Sequence, residues 1–472
     1  MKKRIGLFFP VIVGALLLGL NLLGLRNFEW RIYDLFLKMK PPIEENDSLL
    51  LLVIDDTTIN NINMFPLSRD FMAEGLILLK EFNARYTTFD VEFVDRSPRG
   101  VDAAYLNEDL PDLFYLKFSE IEQNFTGLFQ AIQEKRISIE DAEVFVEELA
   151  SYTAADMDFL LAEVKKIERD NDQYLGNAAR FFGNTFMTLN ILDWVDDTVS
   201  DDFRDYALEA FSVKTLNIID ESPLHEAIDI NPSIMPVISG AKGAGFPRVE
   251  VDPDGVQRRV DLLYRYNGEL ISQLGLAPLL DWLGNPIVEV QKTRIVLRGA
   301  EHPDKGTIDI SIPLTDDNRF LINWPKKLFE DSFQQMSYYT LVLHDELESD
   351  LASNLQIMNN EGYLTFYAGD FPLPDLYQEL QTLQKDLLNG ADPSLIADYR
   401  DYRLYFFEEL GLFLNGPSVE NILAEYQSLI DSDEYTPEEA AGITDLMAFV
   451  GEVFDGTRAL YDELMKVRTT LA

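Results

Sequence analysis

The chain has 472 residues, 47% hydrophobic and 12% aromatic, enough to build real cores and to exclude a disordered protein. Its 82 acidic against 39 basic residues leave a formal net charge of −43, which argues against affinity for nucleic acid or anionic lipid and fits a highly soluble acidic surface. Cysteine is absent, which excludes disulfides, thiol catalysis, zinc–thiolate sites and a lipidated N-terminal cysteine.

Met1-Lys2-Lys3-Arg4 is a short basic start. Residues 5–25 carry no charge, and such a run is long enough to cross a hydrocarbon core of about 30 Å. No A-x-A-like site follows, so the run reads as an uncleaved signal anchor rather than a cleaved peptide. Basic residues precede it and acidic ones dominate after it. The start is therefore expected in the cytoplasm and the bulk of the chain outside it. Residues 27–40, with Trp30, Tyr33 and Phe36, predict an amphipathic helix that Pro41-Pro42 stops.

Residues 48–95 read as strand, loop, helix, strand. Leu49 to Ile54 is a continuous apolar run, expected to be a strand buried on both faces. Ser68 is placed to cap a helix carrying Phe71, Met72, Leu76, Leu79 and Phe82 at helical spacing. Tyr86 to Phe93 is a second strand. A βαβ unit with a parallel sheet follows from this order, and ligands bind beyond the carboxyl ends of such strands.

That rule singles out candidate ligand-binding residues. Asp55 and Asp56 end the first strand, where carboxylates hold a metal or orient a polar ligand, or else cap the turn. Arg69 has the geometry to clamp an anion, or to pair with Asp90 or Asp55. Asp90 is expected buried or half-buried, where it needs such a partner. Pro66 precedes Arg69 in the loop. No metal site is predicted, and His225, His302 and His344 show no ligand spacing.

From about 100 to 170 acidic helical sequence takes over and predicts an insertion. Ser138 is a helix start, and Ile139, Val144, Phe145 and Leu149 predict one packed face. Phe181 to Leu192 is another strand. Asp252-Pro253-Asp254-Gly255 is a turn signal expected to close a hairpin, with Asp254 and Gly255 as turn formers. Arg258 and Arg259 just after it are candidates to face a ligand or a neighbouring subunit, and Trp324 reads as core. Ser272 to Leu283 predicts a helix, and RIVLRG, IDISIPL and FLINW predict strands. Residues 346–472 are acidic and helical, with a capping box at Thr436-Pro437-Glu438-Glu439 and stops at Asn389-Gly390 and Asn415-Gly416. The stripe Leu404, Phe407, Leu410 and Leu414 marks a bundle.

The fold class expected is α/β: a parallel or mixed sheet built on a βαβ core, with a β-hairpin region and large helical insertions, after one N-terminal transmembrane helix. The division is 1–26 (cytoplasmic start and anchor), 27–345 (α/β domain with its insertion) and 346–472 (acidic helical insertion or extension).

The ordered set FEWRIYDLF, VIDDTTINNINMFPLSR, FDVEF, DPDGVQRRV, IPLTDDNRFLINW and FQQMSYYTLV resembles the CHASE2 domain over residues 27–100 and 172–345. The resemblance implies an extracytoplasmic sensor of bacterial membrane receptors, with no cofactor and an unidentified extracytoplasmic ligand or protein as its signal. It also implies a closing strand, three further spans and a cytoplasmic output such as an adenylate or guanylate cyclase or a kinase, none recognisable here. The family's WPWxR is FPLSR in this chain, keeping Pro66 and Arg69. A homodimer is expected, since one span per protomer transmits poorly alone. The rival classes are a membrane-anchored interaction or scaffold protein and a metal-dependent extracytoplasmic hydrolase. The hydrolase lacks a second Asp/His cluster, a glycine-rich phosphate loop and a G-x-S-x-G motif.

Overall fold

The computed structural model describes Gly14 and residues 25–41, 45–102, 105–106, 110–367, 369, 372–432 and 435–472. The uncharged run 5–25 lies, apart from Gly14 and Leu25, outside these. Among the described residues no helix is long and apolar enough to cross a membrane.

Helix α1 (Leu25–Met39) ends just before Pro41. Strand β1 (Leu50–Val53) leads into a short α2 (Asp56–Ile62) and then α3 (Arg69–Glu81). Two expectations are corrected here. β1 is not buried on both faces: Leu50 is 43% exposed, and only Leu52 and Ile54 pack on the core. Nor does β1 share a ladder with β2 (Thr87–Thr88). β1 pairs in parallel with residues 334–337, and β2 pairs with residues 185–186 in another sheet. The segment from Tyr86 to Phe93 leaves the regular ladder after Thr88, because its later carbonyls take other donors. Thr188 Oγ1 donates to Val91 O (2.9 Å) and Ile234 N to Phe93 O (2.7 Å).

The insertion is a helical hairpin. It leaves the body through a two-residue ladder of β3 (Gly100–Val101) with β4 (Glu168–Arg169). Between them run α4 (Leu110–Gln133) and α5 (Ala142–Val164). The single packed face expected for α5 is corrected: Ile139 precedes the helix, and Val144 and Phe145 are exposed. The two helices bury only Leu110, Ala131, Ala142 and Leu160 among their apolar side chains.

The body returns with α6 (Asn171–Phe182) and β5 (Thr185–Leu192), whose apolar run is buried almost throughout. α7 (Asp201–Phe211), β6 (Leu216–Ile218), β7 (His225–Glu226), β8 (Asp229–Pro232), α8 (Met235–Ile238) and β9 (Gly243–Gly245) follow. β5 is central: it runs parallel to β2 and β9 and antiparallel to β8. Next come β10 (Arg259–Val260), β11 (Leu263–Tyr266) and β12 (Glu269–Ser272). Asn267-Gly268 joins β11 to β12 with positive φ at both residues (49° and 86°), as a two-residue hairpin turn requires. Ser272 is therefore strand, and α9 begins only at Leu276 (Leu276–Trp282).

β13 (Ile287–Gln291), β14 (Arg294–His302) and β15 (Gly306–Pro313) form a meander with β6, over a second small core around Leu270, Leu283 and Val288. β16 (Phe320–Leu321) pairs with β10, and β17 (Gln334–Ser337) is the partner of β1. The sheet system is thus several small sheets.

The C-terminal part is helical: α10 (Tyr339–Asn360), α11 (Leu373–Leu388), α12 (Leu395–Asn415), α13 (Pro417–Ile430) and α14 (Pro437–Leu471). α10 runs unbroken across residue 345. The capping box at Thr436 is formed, with Glu439 accepting from the Thr436 amide. In the α12 stripe Phe407, Leu410 and Leu414 are buried and Leu404 faces solvent. These side chains join one core with Leu76 of α3 and Leu175 of α6.

A buried ionic cluster fastens the helices to the body. Glu81, at the end of α3, accepts from Arg403 Nε of α12 (3.0 Å) and from Arg468 Nη2 of α14 (2.5 Å). Arg403 also forks onto Glu348 of α10. Arg468 donates to His344 Nε2 at 3.0 Å, and burial pushes that imidazole down to about 4, so it stays a neutral acceptor. Removing one partner strands the others in the interior. Glu81→Gln is expected to cost about 3–5 kcal/mol, read as a lower urea midpoint with an unchanged slope.

Candidate functional site

The turn Asp252-Pro253-Asp254-Gly255 forms as expected. Gly255 N donates to Asp252 O (2.8 Å), and Gly255 has φ +83°. The expected long hairpin is reduced to one antiparallel bridge, Glu250 with Arg259. The ladder is short because β10 turns to pair with β16 instead.

What the turn does is present carboxylates to Arg258. That side chain is 3% exposed. Its guanidinium forks onto Asp254 (2.9 and 2.8 Å) and reaches Asp252 at 3.0 Å. Its other edge forks onto Asp34 of α1, Nε to Oδ1 at 2.8 Å and Nη2 to Oδ2 at 2.7 Å. A planar five-donor cation is the side chain that can serve two carboxylates bidentately at once. Arg258 holds both the Asp34 and Asp254 carboxyls below their usual range.

The rest of α1 docks around this clamp. Arg258 and Arg259 lie over the Trp30 ring at 5.7 and 6.0 Å. Tyr33 Oη donates to Ile322 O (3.2 Å) and Lys40 Nζ to Trp324 O (3.2 Å). Trp324, expected as core, is 42% exposed and donates its indole N–H to Gln257 O. Beyond Arg258 the charges alternate inward. Arg259 bridges Asp252 and Asp317, Arg319 bridges Asp317 and Asp261, and Asp261 meets His225 Nδ1 at 2.8 Å. The hydrogen bond with Asp261 raises the His225 pKa. An unbroken polar chain therefore links α1 to His225 of β7.

The other sequence candidates lie in separate places. Asp55 caps α2 through the Thr58 amide (2.9 Å) and accepts from Ser337 Oγ of β17 (2.8 Å), which welds the β1–β17 pair to α2. Asp56 is exposed in the first turn of α2. Arg69 pairs with Asp172 of α6 and the Asp95 carbonyl, not with Asp90 or Asp55. Asp90 is exposed, so it needs no buried partner, which corrects that expectation. Ser68 stands at the cap position of α3 but its hydroxyl is taken by Asn171 Nδ2 (3.0 Å). Among the described residues no group of three or more potential ligands could hold a metal ion. Sequence reading missed Asp34, one turn after Trp30 on α1, and the Asp317, Arg319 and Asp261 chain behind it.

A family model, the CHASE2 domain, matches residues 12–359. It takes in α1, the clamp, the hairpin and nearly all of α10. No curated protein and no solved structure matches the chain.

Two outcomes follow from the clamp. Arg258→Met leaves buried Asp252 unpaired on that side and is expected to lose about 3–5 kcal/mol in urea unfolding. Arg258→Lys does not restore it, because one ammonium cannot fork twice. His225 binds its proton more tightly folded than unfolded. Its contribution is therefore full below about pH 6.5 and is lost as pH rises through the raised folded value. Thermal melts across pH 6–9 should show this decline in the wild type and a flatter profile in His225→Gln.

Proposed function

The chain belongs to the CHASE2 family, whose members are extracytoplasmic sensory domains, and from that premise we propose that it is the signal-receiving module of a bacterial membrane receptor. Residues 5–25 anchor it in the inner membrane, the body lies outside the cytoplasm, and two protomers act as a pair. The signal is an extracytoplasmic ligand or protein, and the output is a cyclase or kinase. Of the sequence candidates, the exposed Asp56 and Asp90 are open to direct contact with that signal, whereas Asp55, Arg69 and Arg258, engaged within the body, would answer to it by a change of partner.

The observation that carries this reading is the Asp34–Arg258 clamp. α1 is the element that continues toward the uncharged run, and one buried cation fixes it to the sensor body. A ligand that binds the clamped and released arrangements differently shifts their balance, by no more than its differential affinity. The Arg259–Asp317–Arg319–Asp261 chain supplies the route from His225 of β7 to that joint.

The absence of cysteine makes the test clean. Spin labels at Met39→Cys on α1 and Leu328→Cys on the body, both exposed, report the joint by distance measurement in membranes. The sensor reading expects one dominant distance, broadened into two populations by Asp34→Asn. It also expects Met39→Cys to react with an impermeant maleimide from outside intact spheroplasts. A distance indifferent to Asp34→Asn, or labelling only after lysis, sinks the reading.

A further inference from the structure

We propose that the α4–α5 hairpin is a self-association surface, on which the same face of a second copy of this chain packs to form a four-helix bundle. This rests on the paired-protomer reading above and names its contact.

On α4, Tyr115, Phe118, Phe125 and Phe129 recur at steps of three, seven and four residues, so they form one stripe. They are 40–77% exposed. On α5, Val146, Met157, Leu161 and Val164 form a second stripe, 39–57% exposed. The hairpin's other side is marked by an open groove of ≈ 530 Å³ between the helices, lined by Leu128 and Ala131 of α4 and by Phe145 and Tyr152 of α5. Stepping about 100° per residue from those positions carries both stripes to the side opposite the groove. The two stripes therefore make one continuous face.

Its size fits one occupant. At ~150–200 Å² per side chain, the exposed fractions leave roughly 800 Å² of apolar area. That exceeds the largest patch of a typical monomer, ~300–600 Å². It equals the ~800 Å² that each partner brings to a standard interface. Two such faces related by a two-fold axis cover each other completely, and the chain tethers both copies to one membrane plane. Charge disfavours a lipid surface: residues 110–164 hold twelve acidic residues against Lys117, Lys135 and Arg136. Within the stripes Glu122 of α4 and Glu143, at the first turn of α5, are charged, and burying the Glu122 carboxylate, which stands amid the α4 aromatics, works against the dimer.

The test uses the full chain in detergent and in membranes. Sedimentation of the wild type should show a dimer. The variant Tyr115→Ser/Phe118→Ser/Phe125→Ser/Phe129→Ser should associate at least 100-fold more weakly while melting at the wild-type temperature at dilutions where both are monomeric, because the side chains it loses are exposed in the single chain. Glu122→Gln should tighten association. In membranes, Phe125→Cys should join to itself through a short bis-maleimide and Tyr152→Cys, on the groove side, should not. A dimer that survives the four serines overturns the surface but leaves paired protomers standing. A wild type that is monomeric throughout overturns both. A Phe125→Cys product with a different protein, and none with itself, overturns the proposal in favour of a heterologous partner.

Discussion

A chain with so large an excess of carboxylates can close its core only where a cation meets them, and the buried arginines mark those places. Each fully buried guanidinium joins elements far apart in sequence or fixes the root of one. Arg403 and Arg468 bring α12 and α14 to Glu81 of α3. Arg69 ties α3 to Asp172 of α6. Arg204 forks onto Asp229 at 2.7 Å on both oxygens, fixing α7 to β8. Burial alone would raise the Asp229 carboxyl, but Arg204 and the amides of Asp196 and Ile230 hold it at about 2. Arg258 joins α1 to the body. A lysine cannot substitute at such joints, because its ammonium offers no planar fork.

The same chemistry divides the molecule into parts with different mechanical roles. The helices after α10 are fused to the α/β body by a cluster with both hydrophobic and ionic components, so they move with it as one core. α1 is held differently. Its contacts include the clamp, the ring stack on Trp30 and a hydrogen bond from Tyr33 to a main-chain carbonyl, with a second from Lys40 just past its end, and Leu35, Phe36 and Met39 face outward. An element held largely by strong, directional polar contacts is lost or kept as a unit when one of them breaks. That is the kind of element a signal can bias.

The hairpin is a third part. It meets the body through a two-residue ladder and has apolar residues over a wider arc than its own partner helix covers. Isolated helices gain little from propensity alone, so a hairpin of this composition is completed by packing.

Sequence by itself determined the elements whose information is local. The α3 helix, the β14 and β15 strands, the DPDG turn and the Thr436 capping box depend on periodicity or on hydrogen bonds within a few residues, and all are present. The order of short motifs was also sufficient to identify the family. Tertiary structure alone decided the pairings. β1 closes with β17, nearly the whole body later in sequence, because strand partners follow from what covers each edge, not from the strand's own residues. Arg69 meets Asp172 rather than Asp90 for the same reason. An arginine has no local preference among carboxylates, and the one it takes is the one that packing brings within reach. The Asp34–Arg258 clamp is the extreme case. Both residues were visible, and one was a candidate, but their partnership exists only because the fold carries α1 across to the turn.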